Sequence, residues 1–289
     1  MIFNIIISSL INGSTYALLA IGFSLVFGVA RIVNIAHTAF FMVASYCIFL
    51  CTNILGLNPF AAMMVTIILT VLLGLIIFKI IIDPLREHEA AVLIATVALA
   101  MSFQETMLLF FGGVFQSLPY LVTGNMEIAG IRVAYQQLLI IAMAPLVLAA
   151  VWIFLKKTRM GLAIRATSQD REVANLMGMN EKGIAMMTMA VSVALAAFTG
   201  AVVVPLSVVH PHMWLHPLVM TMAAVVLGGM GSVKGSFIGA YILGFAEALV
   251  VFLIPMGAFL KGSVALSIMV FVLLLRPDGL FGVTFEEER

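Results

Sequence analysis

Two carboxylates, Glu105 and Glu247, sit inside long apolar runs of the sequence. An ionised group at mid-membrane costs on the order of 2.5–3.5 kcal/mol even on the lenient insertion scale, so each is expected to face a bundle interior or a cavity. There it could meet an ammonium group, relay a proton, or accept a structural hydrogen bond between helices; the last is the commoner use. Gln104 and Asn12 are polar companions. Neither carboxylate has a His or Ser at a spacing that suggests a hydrolytic pair, so no catalytic residue is assigned. His210, His212 and His216 crowd into VHPHMWLHP. A metal site would need fixed ligand geometry and a supporting shell. Two prolines and no nearby acidic or Cys ligand favour an interface loop with Trp214 at headgroup level, and no metal is assigned.

Most of the chain has no charge to place. It is 64% hydrophobic and 9% charged, with mean hydropathy +1.23, whereas a soluble domain carries about 25% charged and about 45–50% apolar residues. This is an integral membrane protein. The 14 Lys+Arg against 13 Asp+Glu leave no basic face for nucleic acid. Cys47 and Cys51 share one apolar run at helical spacing, which excludes a disulfide framework.

A membrane helix needs about 20 apolar residues. Cutting at charges and at Pro, Gly and Asn clusters gives 4–29, 32–52, 60–82, 90–112, 133–155, 184–208, 218–233, 235–254 and 262–275. The seventh and ninth are short and are expected to be re-entrant or tilted, so the chain should cross eight or nine times. Continuous apolar runs exclude barrel strands. The start, MIFNIIISSL, reads as a retained first helix. The fold expected is an all-α polytopic bundle forming a single transmembrane domain over 1–289.

Lys and Arg set the orientation. Lys156, Lys157, Arg159, Arg165, Arg171 and Lys182 make segment 156–183 cytoplasmic, and alternation puts Arg31, Lys79, Arg86, Lys234, Arg276 and Arg289 on the same side. Only Arg132 and Lys261 fall opposite. Nine crossings then place the N-terminus outside and the C-terminus inside.

Segment 156–183 should hold a short helix from about Ser168 to Met177, with Thr167 and Asp170 resembling a capping box and Gly178 ending it. Val173, Leu176 and Met177 share one face at helical spacing. That face suits either a cytosolic partner or the lipid headgroups.

Two segments combine Gly breaks with small residues, 25–46 and 225–245. Interrupted helices in corresponding positions point to a permeation site, because free backbone groups at membrane depth must face protein or water. The path expected from this contains Asn12, Ser14, Thr15, Ser24, Asn34, His37, Gly228, Gly229, Gly231 and Ser232, and secondarily Glu105 and Glu247. Gly231, Gly235 and Gly239 equally fit close helix packing.

Several motifs in order resemble permease subunits of branched-chain amino acid ABC importers, the LivH type. They are Asn12-Gly13-Ser14-Thr15-Tyr16-Ala17-Leu18 with Gly22, Asn34-Ile35-Ala36-His37, and Pro84-Leu85-Arg86. Arg165-Ala166 with Asp170, Ala174, Leu176, Gly178 and Asn180 follows, then 226–232 with Gly235, Gly239 and Gly244, and Arg276-Pro277-Asp278-Gly279-Leu280-Phe281-Gly282. Thr38 departs from the Gly expected after His37. The resemblance implies a pore-forming subunit in the bacterial inner membrane, paired with a homologous second permease as a heterodimer. Two cytosolic ATPase subunits would contact Arg165, Asp170, Val173, Ala174, Leu176, Met177 and Gly178, and an extracytoplasmic protein would deliver substrate. This chain has no G-x-x-x-x-G-K-[ST] loop, so it carries no cofactor and ATP and Mg belong to the partners. Alternatives are a related importer for urea, short amides or aromatic acids, or a stand-alone channel or secondary transporter. Nothing points to an intramembrane enzyme.

Overall fold

The computed structural model describes residues 2–128 and 131–281. Gly282 of the closing motif and Arg289 lie outside the described residues. Twelve helices follow in order, interrupted by one small hairpin among the described residues. They are α1 (Ile2–Ala30), α2 (Ala36–Phe49), α3 (Pro59–Ile77), a single turn α4 (Asp83–Leu85), α5 (Glu89–Phe111), α6 (Tyr135–Lys157), α7 (Arg159–Gln169), α8 (Arg171–Leu176), α9 (Glu181–Val203), α10 (Leu215–Gly228), α11 (Val233–Leu253) and α12 (Lys261–Leu275). Strands β1 (Asn125–Ile128) and β2 (Ile131–Ala134) pair antiparallel within the polar stretch before α6.

Eight helical segments among the described residues are long and apolar enough to cross a membrane. The last, Gly257–Leu275, gains length from a 3-10 turn at Gly257–Leu260, so the expected short ninth segment has the length of a full span. The other short segment is α10, whose 14 residues cover about 21 Å at 1.5 Å each. Together with the segment ahead of it, it still joins the two ends of the bundle. It begins beside Tyr16, halfway along α1, and ends by Gly231, which lies against Gly28 near the end of α1. The missing length is supplied by segment 207–214, which enters the protein ahead of it. There Val209 and Gln116 exchange backbone hydrogen bonds, and Trp214 is buried with its indole N–H donating to Gln104 Oε1 at 3.0 Å. Trp214 therefore packs inside and is not a headgroup anchor. A buried indole needs an acceptor, and α5 supplies one.

Helix α1 is the axis. Its residues from Gly13 to Val26 are buried on every side, which is what an all-round apolar helix at a bundle centre does. Neighbours approach it and one another through missing side chains. A methyl on Gly244 would come 2.5 Å from the backbone nitrogen of Gly13, and one on Gly200 of α9 would come 2.6 Å from the Phe41 carbonyl of α2. Lipid gives no hydrophobic drive between helices, so backbone proximity and dispersion hold them. In the hairpin between α10 and α11, Gly228 and Gly235 touch backbone to backbone. Gly229 and Gly231 take φ of 99° and 82°, and Ser232 caps α11 by accepting from Gly235 N–H at 3.1 Å.

The closing motif straps this hairpin. The N–H groups of Leu280 and Phe281 donate to the Leu227 and Gly228 carbonyls at 2.9 and 3.0 Å, satisfying acceptors that the end of α10 leaves free. Arg86 sits 3.4 Å from both Asp83 and Glu181, tying the Pro84-Leu85-Arg86 turn to the start of α9. These contacts, α7, α8 and the hairpin share one end of the bundle, called here the basic end.

Candidate functional site

The basic end carries two helices where one was expected. Thr158 accepts from Gly161 N–H at 2.9 Å and starts α7, an 11-residue amphipathic helix that buries Gly161, Ile164 and Thr167. Thr167 is thus inside α7 and caps nothing. Asp170 alone caps α8, accepting from Val173 N–H at 2.9 Å. Helix α8 is only Arg171–Leu176, and Gly178 closes it at φ 79°. Val173, Leu176 and Met177 are 51%, 86% and 78% exposed, whereas Ala174 is buried at 5%. Three large apolar side chains therefore stand out together at this tip. Ala174 instead seats α8 on its own bundle.

The positions expected along a path separate into three groups. Asn12 and Thr15 line a cavity of about 790 Å³ that reaches Tyr16 from the end opposite the basic one, with Ser207, His210, His216 and Lys261 on its wall. Ser24, Gly231 and Ser232 line a second cavity of about 590 Å³ at the basic end, shared with Arg165, Ser168 and Lys234. Between these cavities α1 runs two turns, about 12 Å, through the fully packed residues 17–23.

The third group is packing. Ser14 hydrogen-bonds the Tyr241 hydroxyl at 3.0 Å. Asn34 is buried with its amide on Met189 Sδ, and Gly228 and Gly229 are buried in the hairpin. His37 is buried between α1 and α9. The carbonyl of Leu19 can only accept, so His37 Nε2–H donates to it at 3.0 Å, and in the neutral ring Nδ1 accepts from Ser192 Oγ–H at 3.0 Å. His37 is on the wall of neither cavity.

The two carboxylates part company. Glu105 is on the exterior of this chain, accepting from the neighbouring Gln104 at 3.2 Å. The expectation that it faces the interior of its own bundle is corrected: α5 is a peripheral helix that buries a narrow stripe, Val92, Thr96 and Ala100, and Glu105 is off that stripe. Glu247 is buried directly behind the wall of the first cavity. Its Oε2 accepts the Tyr16 hydroxyl at 2.5 Å, and Lys261 Nζ lies 3.2 Å from Oε1.

The sequence gives Tyr16, His216 and Lys261 no place among the expected path residues. Lys261 was counted only as a charge on the minority side, yet a lone Lys at the start of an apolar helix is itself a signal. The three histidines diverge. His210 lies edge-on to Phe115, and His216 turns to Tyr16 with ring centroids 6.2 Å apart. Burial, and then the nearby His212, lower the pKa of the His210 imidazole from its ordinary value.

The family model of the branched-chain amino acid transport system permease component matches residues 5–275. This chain belongs to that permease family. The BraD permease protein of a high-affinity branched-chain amino acid transport system in Pseudomonas aeruginosa is 31% identical over 96% of this chain and 94% of its own length. The LivH permease protein of Escherichia coli K12 is 30% identical over 93% and 92%. The solved structure titled PsaBC from Streptococcus pneumoniae in complex with Fab superposes with a TM-score of 0.55, covering 94% of this permease and 91% of that chain at 17% identity. That last likeness shows the fold alone. The first helix and the Gly-rich hairpin meet in this permease at Gly28 and Gly231, so two segments about 200 residues apart in sequence form one contact.

Proposed function

We propose that this permease is one of two homologous pore-forming subunits of an ATP-driven importer for branched-chain amino acids, in the bacterial inner membrane with its basic end cytoplasmic. The observation that carries the reading is the pair of cavities at opposite ends of α1, closed from each other by packed residues 17–23. A machine that loads from one side and unloads to the other needs that arrangement, and a continuous channel does not. The substrate class follows from the relatives, which are named for branched-chain amino acid transport.

Energy would enter through the exposed tip of α8. Leu176 and Met177 are suited to a groove on a cytosolic ATPase, which would hold the ATP and Mg, with Asp170 and Gly178 fixing the tip's shape and Arg165 on its flank. The second permease, as a heterodimer partner, would cover the exposed side of the bundle where Glu105 stands. An extracytoplasmic binding protein would deliver substrate to the cavity lined by Asn12 and Thr15, and Ser24, Gly231 and Ser232 would meet it on exit. Weak hydroxyl and amide contacts fit a pore that must release what it takes up. The test is uptake by the reconstituted complex. Labelled leucine should accumulate on ATP addition, and accumulation of labelled urea in its place would overturn the substrate assignment.

A further inference from the structure

The foot of the first cavity holds an ion pair whose partners are unequally placed. The Glu247 side chain is 1% exposed and that of Lys261 37%. Both oxygens of Glu247 are engaged from within the protein. Oε2 takes the Tyr16 hydroxyl, while Oε1 has Lys261 Nζ at 3.2 Å and His216 Nε2 at 3.9 Å. At 1% exposure that carboxylate offers a ligand almost no surface. The ammonium differs: it has three donors, of which one can serve Glu247, and Lys261 lines the cavity together with Asn12 and Thr15. Leaving the buried Glu247 carboxylate without a partner would be costly, so Lys261 accounts for how that charge can be held there.

We propose that Lys261 receives the carboxylate of the permeant amino acid at the foot of this cavity, with Glu247 and Tyr16 positioning its ammonium. The inference rests on the amino-acid importer reading and adds the chemistry of recognition, a carboxylate on a pre-paired cation. Because Glu247 already offsets the charge, an arriving carboxylate is held weakly and can leave. An uncharged permeant such as urea gains nothing from this lysine.

The experiment uses the full complex in proteoliposomes with labelled leucine. In the double variant Lys261→Gln/Glu247→Gln both charges go together, so no lone charge is buried. In Lys261→Glu/Glu247→Lys the pair survives but a carboxylate stands on the cavity wall. A charge-assisted hydrogen bond is worth about 1.5–3 kcal/mol, so uptake should fall about tenfold or more in both. Lys261→Arg, which keeps a cation there, should retain most of it. If either double variant carries leucine at the wild-type rate, Lys261 serves only to neutralise Glu247 and the inference falls. It falls equally if Lys261→Arg loses uptake as fully as the double variants do. Failure of the wild-type complex to carry leucine counts against the amino-acid reading and is separable from both.

Discussion

Gly22 of α1 lies so close to the imidazole of His37 on α2 that a methyl group there would come within 2.8 Å of His37 Cε1. The same methyl would meet the Ser192 carbonyl of α9 at 3.1 Å. The ring cannot retreat, because both of its nitrogens are committed, to Leu19 and to Ser192. Gly22, His37 and Ser192 thus lock three helices at one depth. Overpacking of this kind costs about 1–3 kcal/mol. Gly22→Ala should therefore lower the melting temperature of the purified permease. Ser192→Ala, which removes one hydrogen bond worth about 1 kcal/mol, should lower it less. Thermal unfolding in detergent compares the two, and an unchanged melting point for Gly22→Ala would contradict the lock.

At the α8 tip, stability and partner binding should separate by residue. Leu176→Asp changes a side chain that is 86% exposed, so the permease should fold normally yet lose its ATPase on co-purification. Ala174→Asp puts a carboxylate at a position only 5% exposed and should destabilise the permease itself. Undiminished co-purification with Leu176→Asp would mean that α8 lies on headgroups instead.

Expressed alone in liposomes, the chain should take up no leucine. Residues 17–23 close α1 between the cavities, and opening them is the work assigned to the ATPase. Saturable uptake by the single chain would favour a secondary transporter.

Single cysteines in a background with Cys47 and Cys51 replaced should label from opposite sides. Asn12→Cys, on the first cavity, should react with an impermeant thiol reagent added outside. Ser232→Cys, on the second, should react only when the reagent reaches the basic end. Cysteine in place of Asn34, buried at 2% exposure, should stay unreactive in both arrangements. Reaction of the Asn34 variant with the sites at 12 and 232 silent would move the path to the first helix break.

Much of the candidate site was legible because membranes leave few options. Charge-free runs fix the spans, Gly marks close approach, and clustered Lys and Arg mark one end. Helix α7 was not legible. Its residues are polar enough to read as loop, and only the cap at Thr158 and burial of Ile164 against the bundle make it a helix. Nor was the length of α10 a guide to its role, since a 14-residue helix serves as a connection between the two ends once segment 207–214 is drawn inside by Trp214 and Gln116.

Composition and the continuity of the apolar runs determined that this is a helical membrane protein, and ordered motifs determined its family, since these depend on which residues are present and in what order. Tertiary structure decided which polar residues face space. Glu105 and Glu247 look alike in sequence, each a carboxylate in an apolar helix. One lies on the exterior because its helix is peripheral, and the other is buried because α11 packs along α1 and brings Tyr16 and Lys261 to it. Helical periodicity gives the angle of a side chain about its own axis, but only packing gives the neighbour at that angle. The Lys261–Glu247–Tyr16 constellation joins residues of α12, α11 and α1, and no local pattern in any one of these helices encodes it.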